Sequence, residues 1–147
     1  MKPLAALFLL LPLGAVAAPA TLMEGEPLPA CRNRLPDLAL TLEAAEGGVR
    51  AVVLNRGTDP SKPVVVALGC TGATSLSCSD CAPLERTLLN WPPVTVVWTL
   101  PPLAPDETAA FTFHAEGPAG LCRGQVDLDY QQIELNEGNN TFRLPLR

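Results

Sequence analysis

From Leu38 onward the chain alternates apolar and polar residues with a period of two. Leu38, Leu40 and Leu42 interleave with Ala39, Thr41 and Glu43, the pattern of a strand buried on one face. Val49 to Leu54 follow after Gly47-Gly48, and the β-branched run Pro63–Leu68 has the composition of a central strand. Val94–Leu100 and Glu107–His114 continue the series. Val126, Leu128 and Tyr130 alternate with Gln125, Asp127 and Asp129, and Phe142, Leu144 and Leu146 form the last strand. Turn chemistry separates them: Asn55-Arg56-Gly57 and Asp59-Pro60, Pro101-Pro102, Gly117-Pro118-Ala119-Gly120, and the polar loop Gln131–Asn139. Between Gly69 and Pro93 the pattern breaks. Within that stretch Pro83–Asn90 predicts a short helix, with Leu84, Thr87 and Leu88 on one face. Seven short strands without βαβ alternation predict an all-β, seven-stranded antiparallel immunoglobulin-like β-sandwich with a cysteine-rich loop insertion.

Residues 1–20 have a different character. Lys2, the apolar run Leu4–Leu13 and the small-x-small patterns Ala15-Val16-Ala17 and Ala18-Pro19-Ala20 form the three parts of a secretory signal peptide. Pro12 and Gly14 interrupt the apolar run before it reaches the roughly 20 residues of a membrane span. Residues 21–35, with Pro27 and Pro29, read as an extended lead-in, and 36–147 as the sandwich domain. Export places the protein in the periplasm or outside the cell, where disulfides persist. Fifteen acidic residues against ten Lys and Arg, for a net charge of −5, remove the electrostatic basis for nucleic-acid binding. Sixteen prolines argue against a helical bundle.

Several segments carry a resemblance. Pro36-Asp37-Leu38 opens the first strand, Val53-Leu54-Asn55-Arg56-Gly57 ends the second, and Leu103-Ala104-Pro105-Asp106-Glu107-Thr108 introduces the fifth. Val126-Asp127-Leu128-Asp129 and Ile133-Glu134-Leu135-Asn136-Glu137-Gly138-Asn139-Asn140-Thr141 close the chain. In this order they resemble the CARDB domain, a bacterial cell-adhesion-related, immunoglobulin-like family. The resemblance implies a sandwich on an extracellular or envelope protein that binds, spaces or adheres, without catalysis and without a cofactor. Its most specific piece contains Ile133, Glu134, Asn136, Glu137, Asn139 and Asn140. Because Asn side chains bond neighbouring backbone, Asn136, Asn139 and Asn140 are read as fixing the last connection.

The remaining candidate chemistry lies in five cysteines and the acidic residues of the last loop. Cys70, Cys78, Cys81 and Cys122 fall in loops at one end of an up-and-down tracing. They are expected to form two disulfides, with three connectivities open. Cys31 is left over, free or bridging to a second copy as a covalent dimer. The same four thiols offer an alternative: an exported thiol–disulfide or metal-binding protein. Cys78-Ser79-Asp80-Cys81 is a C-x-x-C that would be activated by the N-terminus of a following helix. As a zinc site the four have only one close pair, where structural zinc usually takes two. Asp127, Asp129, Glu134, Asn136 and Glu137 supply hard oxygen ligands for calcium, though not in an EF-hand spacing. No G-x-S-x-G, phosphate loop or dinucleotide fingerprint occurs. The single histidine, His114, falls on the polar face of its strand. Trp98 is expected in the core and Trp91 as a loop anchor, with a glycan platform as the functional rival. A non-catalytic module with a protein or glycan partner at the envelope is the preferred reading.

Overall fold

The computed structural model describes residues 34–146. Residues 1–20, read above as a signal peptide, Cys31 and most of the expected lead-in lie outside the described residues. Eight strands form two antiparallel four-stranded sheets. They are β1 (Leu38–Ala45), β2 (Gly48–Asn55), β3 (Val64–Cys70), β4 (Ser75–Cys78), β5 (Thr95–Leu100), β6 (Thr108–Glu116), β7 (Leu121–Gln125) and β8 (Thr141–Pro145). One sheet has the order β1-β2-β6-β4, the other β5-β3-β7-β8.

The period-two pattern explains why the sheets stack. Leu38, Leu40 and Leu42 of β1, Val49, Ala51 and Val53 of β2, and Phe111 and Phe113 of β6 point inward from the first sheet. Val64, Val66 and Leu68 of β3 meet them from the second, with Val96, Trp98 and Leu100 of β5. Trp98 fills the centre, its ring centroid 5.3 Å from Phe111 and 5.0 Å from Phe113, so one sheet's largest side chain is locked against the other's aromatics. Trp98 is thus core, as its alternation predicts, and His114 is exposed on the opposite face of its strand. β7 approaches β1 closely enough that a Cβ on Gly124 would stand 2.7 Å from Leu40 Cδ2.

Three expectations fail, each for a physical reason. The strand expected at Val126–Tyr130 is instead β7, one segment earlier. Asp127 and Tyr130 have positive φ (49° and 51°), so the apparent alternation is that of a tight turn. Leu121-Cys122-Arg123-Gly124-Gln125 has weak strand propensity, yet it pairs on both sides, with β3 and with β8. Second, the expected helix over 83–90 does not form. Pro83 makes a bridge with Trp98, and Leu84 N–H donates to Val97 O at 2.7 Å, so the segment starts along the free edge of β5 and ends in a turn at Leu89-Asn90, where Asn90 has φ 61°. Leu84, Thr87 and Leu88 had no surface to bury a helical face against; Leu84 is exposed. Third, the strand count is eight, because four residues of the insertion pair with β6 as β4. A segment that short, with Leu76 its only large apolar residue, carries no readable period.

The insertion covers the outer face of the second sheet. Arg86 makes a bidentate pair with Asp129 (2.8 and 2.6 Å), and the guanidinium of Arg123 lies 4.4 Å over the Trp91 ring. Thr95 Oγ1 donates to Pro92 O at 2.7 Å. Trp91 therefore serves as the anchor of this strap.

The cysteines form two bridges, Cys70–Cys122 and Cys78–Cys81. They do not gather as a group of four. Cys122 lies within β7, opposite Cys70 of β3, and both are buried; Cys78 ends β4 in the other sheet. In the chain-entropy picture the first bridge, 52 residues apart, is worth about 4 kcal/mol and the second, three apart, about 2 kcal/mol. Urea denaturation of Cys70→Ala/Cys122→Ala is therefore expected to show about twice the loss of stability of Cys78→Ser/Cys81→Ser.

Candidate functional site at the closing-loop end

Strands β2, β5 and β7 end, and β1, β3, β6 and β8 begin, at one end of the sandwich. The connections there carry most of the segments singled out in the sequence. Their backbone groups leave the sheet ladders and need other partners. Asn55 supplies four. Its Oδ1 accepts from Asp37 N–H (3.1 Å) and Gly57 N–H (3.0 Å), and its Nδ2 donates to Asp59 O (2.8 Å) and Leu103 O (3.0 Å). Asn55 is fully buried, and each hydrogen-bonding position of its amide is used. Gly57 is required because the lead-in crosses it: a Cβ there would stand 2.3 Å from Leu35 O. Ser61 completes the contact, donating its N–H to Leu103 O and accepting Leu103 N–H on Oγ, both at 2.8 Å.

The loop 126–140 is held the same way. Asp127 is buried, and its two carboxylate oxygens accept Gln131 N–H (3.0 Å) and Gln132 N–H (3.1 Å). Gln132 Oε1 accepts Lys62 N–H at 2.6 Å, and Leu128 N–H donates to Val65 O at 2.8 Å. Glu134 is 7% exposed. Its Oε2 accepts Leu38 N–H at 2.5 Å, across 96 residues of chain, and its Oε1 accepts Asn140 Nδ2 at 3.2 Å. Asn136 Oδ1 caps the short 3-10 turn Glu137–Asn139 by accepting Gly138 N–H, and Asn139 Nδ2 donates to Asp37 Oδ1 at 2.7 Å. Glu137 is exposed; its Oε1 accepts Glu134 N–H (3.3 Å) and its Oε2 accepts Asn140 Nδ2 (3.0 Å).

Asp127, Glu134 and Glu137 thereby come together, with one oxygen of each within 4.8 Å of the others. Asp129, grouped with them in the sequence reading, points elsewhere and is held by Arg86, which keeps its carboxyl below the usual range. Burial pushes Glu134 up to about 7; the Leu38 and Asn140 N–H donors oppose this, and repulsion from Glu137 and Asp127 adds to it.

Ile133, by contrast, faces solvent at 77% exposure, with Tyr130 at 69% and Leu135 at 46%. Ile133 borders a pocket of about 350 Å³ shared with Arg34, Leu35, Pro36, Pro60 and Lys62. Sequence reasoning missed Asn55 and Gln132 as loop clamps. The one signal for Asn55 is an amide at the end of an apolar strand and the start of a turn, where its side chain can bond backbone on both sides. The thiol-catalyst alternative loses its activating element, since the residues after Cys81 are extended and offer no helix N-terminus.

Two outcomes follow. Asn55→Ala removes the side-chain partner of Asp37 N–H, Gly57 N–H and Asp59 O, while Leu103 O keeps Ser61 N–H, and is expected to cost about 3 kcal/mol or more, read by chemical denaturation. Glu134 titrates higher in the fold than in the unfolded chain (ordinary value 4.5), so the folded state binds more protons between these values. Stability is therefore expected to fall as pH rises from about 4.5 to about 7, by up to roughly 3 kcal/mol. Glu134→Gln, compared by denaturation across that range, is expected to flatten the slope.

No family model matches the chain, and no curated protein matches it in sequence. Among solved structures it is similar to a CARDB domain from Pyrococcus furiosus, crystallised in complex with di-metal ions. The likeness has a TM-score of 0.51 and 19% identity, and covers 77% of this chain and 90% of that one. The arrangement of strands and loops described above is thus the fold of a CARDB domain.

Proposed function

We propose that this chain is an exported, non-catalytic interaction module of a bacterial envelope, which binds a protein or glycan partner through its closing-loop end. The signal-type segment 1–20 directs export, and the two disulfides suit an oxidising compartment. The CARDB-like fold supports a binding role by analogy of architecture.

The observation that carries the reading is the division of labour within one loop. Asp127, Gln132, Glu134 and Asn140 hold it from inside, while Tyr130, Ile133 and Leu135 are displayed to solvent. Large apolar side chains on a backbone already fixed in place lose little conformational freedom on binding, which favours affinity. Tyr130 adds a hydroxyl to an apolar ring, a combination common at binding sites.

Envelope proteins and an array of envelope glycans form the test panel, with wild-type chain compared against Tyr130→Ser/Ile133→Ser. The expected result is a saturable wild-type interaction that weakens at least about tenfold in the double variant. The thermal midpoint should stay close to wild type, because both side chains are surface-exposed. Equal binding by both chains, or no binding partner in the panel, overturns the reading. So does retention of the chain in the cytosol.

A further inference from the structure

The carboxylates inside the closing loop clamp N–H groups as the neutral amide of Asn55 does at the same end, but they add three like charges in one place. Asp127 and Glu134 are buried, Glu137 caps them from the solvent side, and an oxygen from each lies within 4.8 Å of the others. Among the described residues the ion pairs are Arg50–Glu43 and Arg86–Asp129, so neither basic partner serves this cluster.

A second, independent feature is the amide of Asn140. The residue is 2% exposed, and its side chain is wedged between Glu134 and Glu137. Its Oδ1 has no hydrogen-bond partner. A buried amide oxygen without a donor is costly. The amide's two ends are nearly isosteric, and a half-turn would aim Oδ1 at the carboxylates, an orientation that a cation between them would favour.

We propose that Asp127, Glu134, Glu137 and Asn140 bind a single divalent cation, and that the cation is calcium. The donors are all oxygen, which selects a hard ion over zinc or copper. Coordination decides between the two common hard ions. Calcium takes about 6 to 8 oxygens in a flexible shell, whereas magnesium demands a tight octahedron and usually keeps several waters beside one or two carboxylates. Three carboxylates and an amide gathered within one loop suit calcium. The Asp127 oxygens each accept one N–H and retain a lone pair for the ion. Waters complete the coordination shell. Bound there, calcium offsets the mutual repulsion of three carboxylates. It joins the residues just after β7 to those before β8 and, through Glu134, to the first residue of β1. This stiffens the loop that displays Tyr130 and Ile133.

The test is calorimetric titration and thermal melting of the full, disulfide-bonded chain after treatment with a chelator. Calcium chloride alone is expected to bind one to one, with Kd between ~10⁻⁵ and ~10⁻³ M, to raise the melting temperature, and to bind at least about tenfold tighter than magnesium chloride. Glu137→Gln is at an exposed position. It should weaken calcium about tenfold or more while melting no lower than wild type in chelator, since it removes a repelling charge. Asp129→Asn, outside the cluster, should keep wild-type calcium affinity. The proposal is overturned by absence of calcium binding up to ~10 mM, tenfold above the weakest extracellular sites. Unchanged affinity in Glu137→Gln, equal loss in Asp129→Asn, or preference for magnesium overturns it equally.

Discussion

The arrangement of this molecule depends on satisfying backbone polar groups where the chain leaves the sheets. Within the sandwich the ladders do this. At the closing-loop end seven strand termini converge, and their connections pass through buried space where water is excluded. A lost hydrogen bond there costs more than a typical one gains, so side chains with oxygen acceptors must enter the interior. Asn55, Ser61, Asp127, Gln132 and Glu134 are the buried polar residues that do so. They connect the lead-in to the first sheet, the second sheet to the closing loop, and the closing loop back to the start of β1.

That solution concentrates negative charge. Amide and hydroxyl clamps such as Asn55 and Ser61 carry no charge, but Asp127, Glu134 and Glu137 accept N–H groups as carboxylates close to one another. The raised pKa of Glu134 measures the tension: its N–H donors favour the ionised form, while burial and its neighbours oppose it. The end of the sandwich where the polar clamps converge is therefore also the one that gathers carboxylates.

Away from that end the fold is secured covalently. Cys70 and Cys122 tie the end of β3 to β7, a strand of low intrinsic propensity, and Cys78–Cys81 closes the short edge strand β4 partway along the first sheet, opposite Phe113. The insertion that carries the second bridge folds over the outer face of the second sheet through Arg86–Asp129 and Arg123–Trp91. Disulfides and strap thus reinforce the elements whose own sequences specify strand least strongly.

The contrast between β1 and β7 shows where legibility ends. Leu38, Leu40 and Leu42 declare a half-buried strand by themselves, because a period of two is a local property of the chain. The same holds for β2, β3, β5, β6 and β8, and for Trp98 in the core, so the two-sheet class was readable from residue order. Asn136, Asn139 and Asn140 were readable as loop residues, since Asn favours bonding nearby backbone, but only Asn136 does so; Asn139 and Asn140 donate to the side chains of Asp37, Glu134 and Glu137. What lay beyond the sequence were features fixed by partners distant along it. β7 is a strand because β3 and β8 flank it, and the alternation just after it is a turn because Asp127 folds back on Gln131 and Gln132. Residues 83–90 form no helix because Pro83 and Leu84 are drawn to the edge of β5, which offers hydrogen bonds to distant residues. Whether Asp127 or Asp129 joined Glu134 was decided by Arg86, 43 residues away. Local periodicity determined which residues are core. Only tertiary structure decided which polar residues share a site, because the energy of a buried polar group depends on the partner it finds.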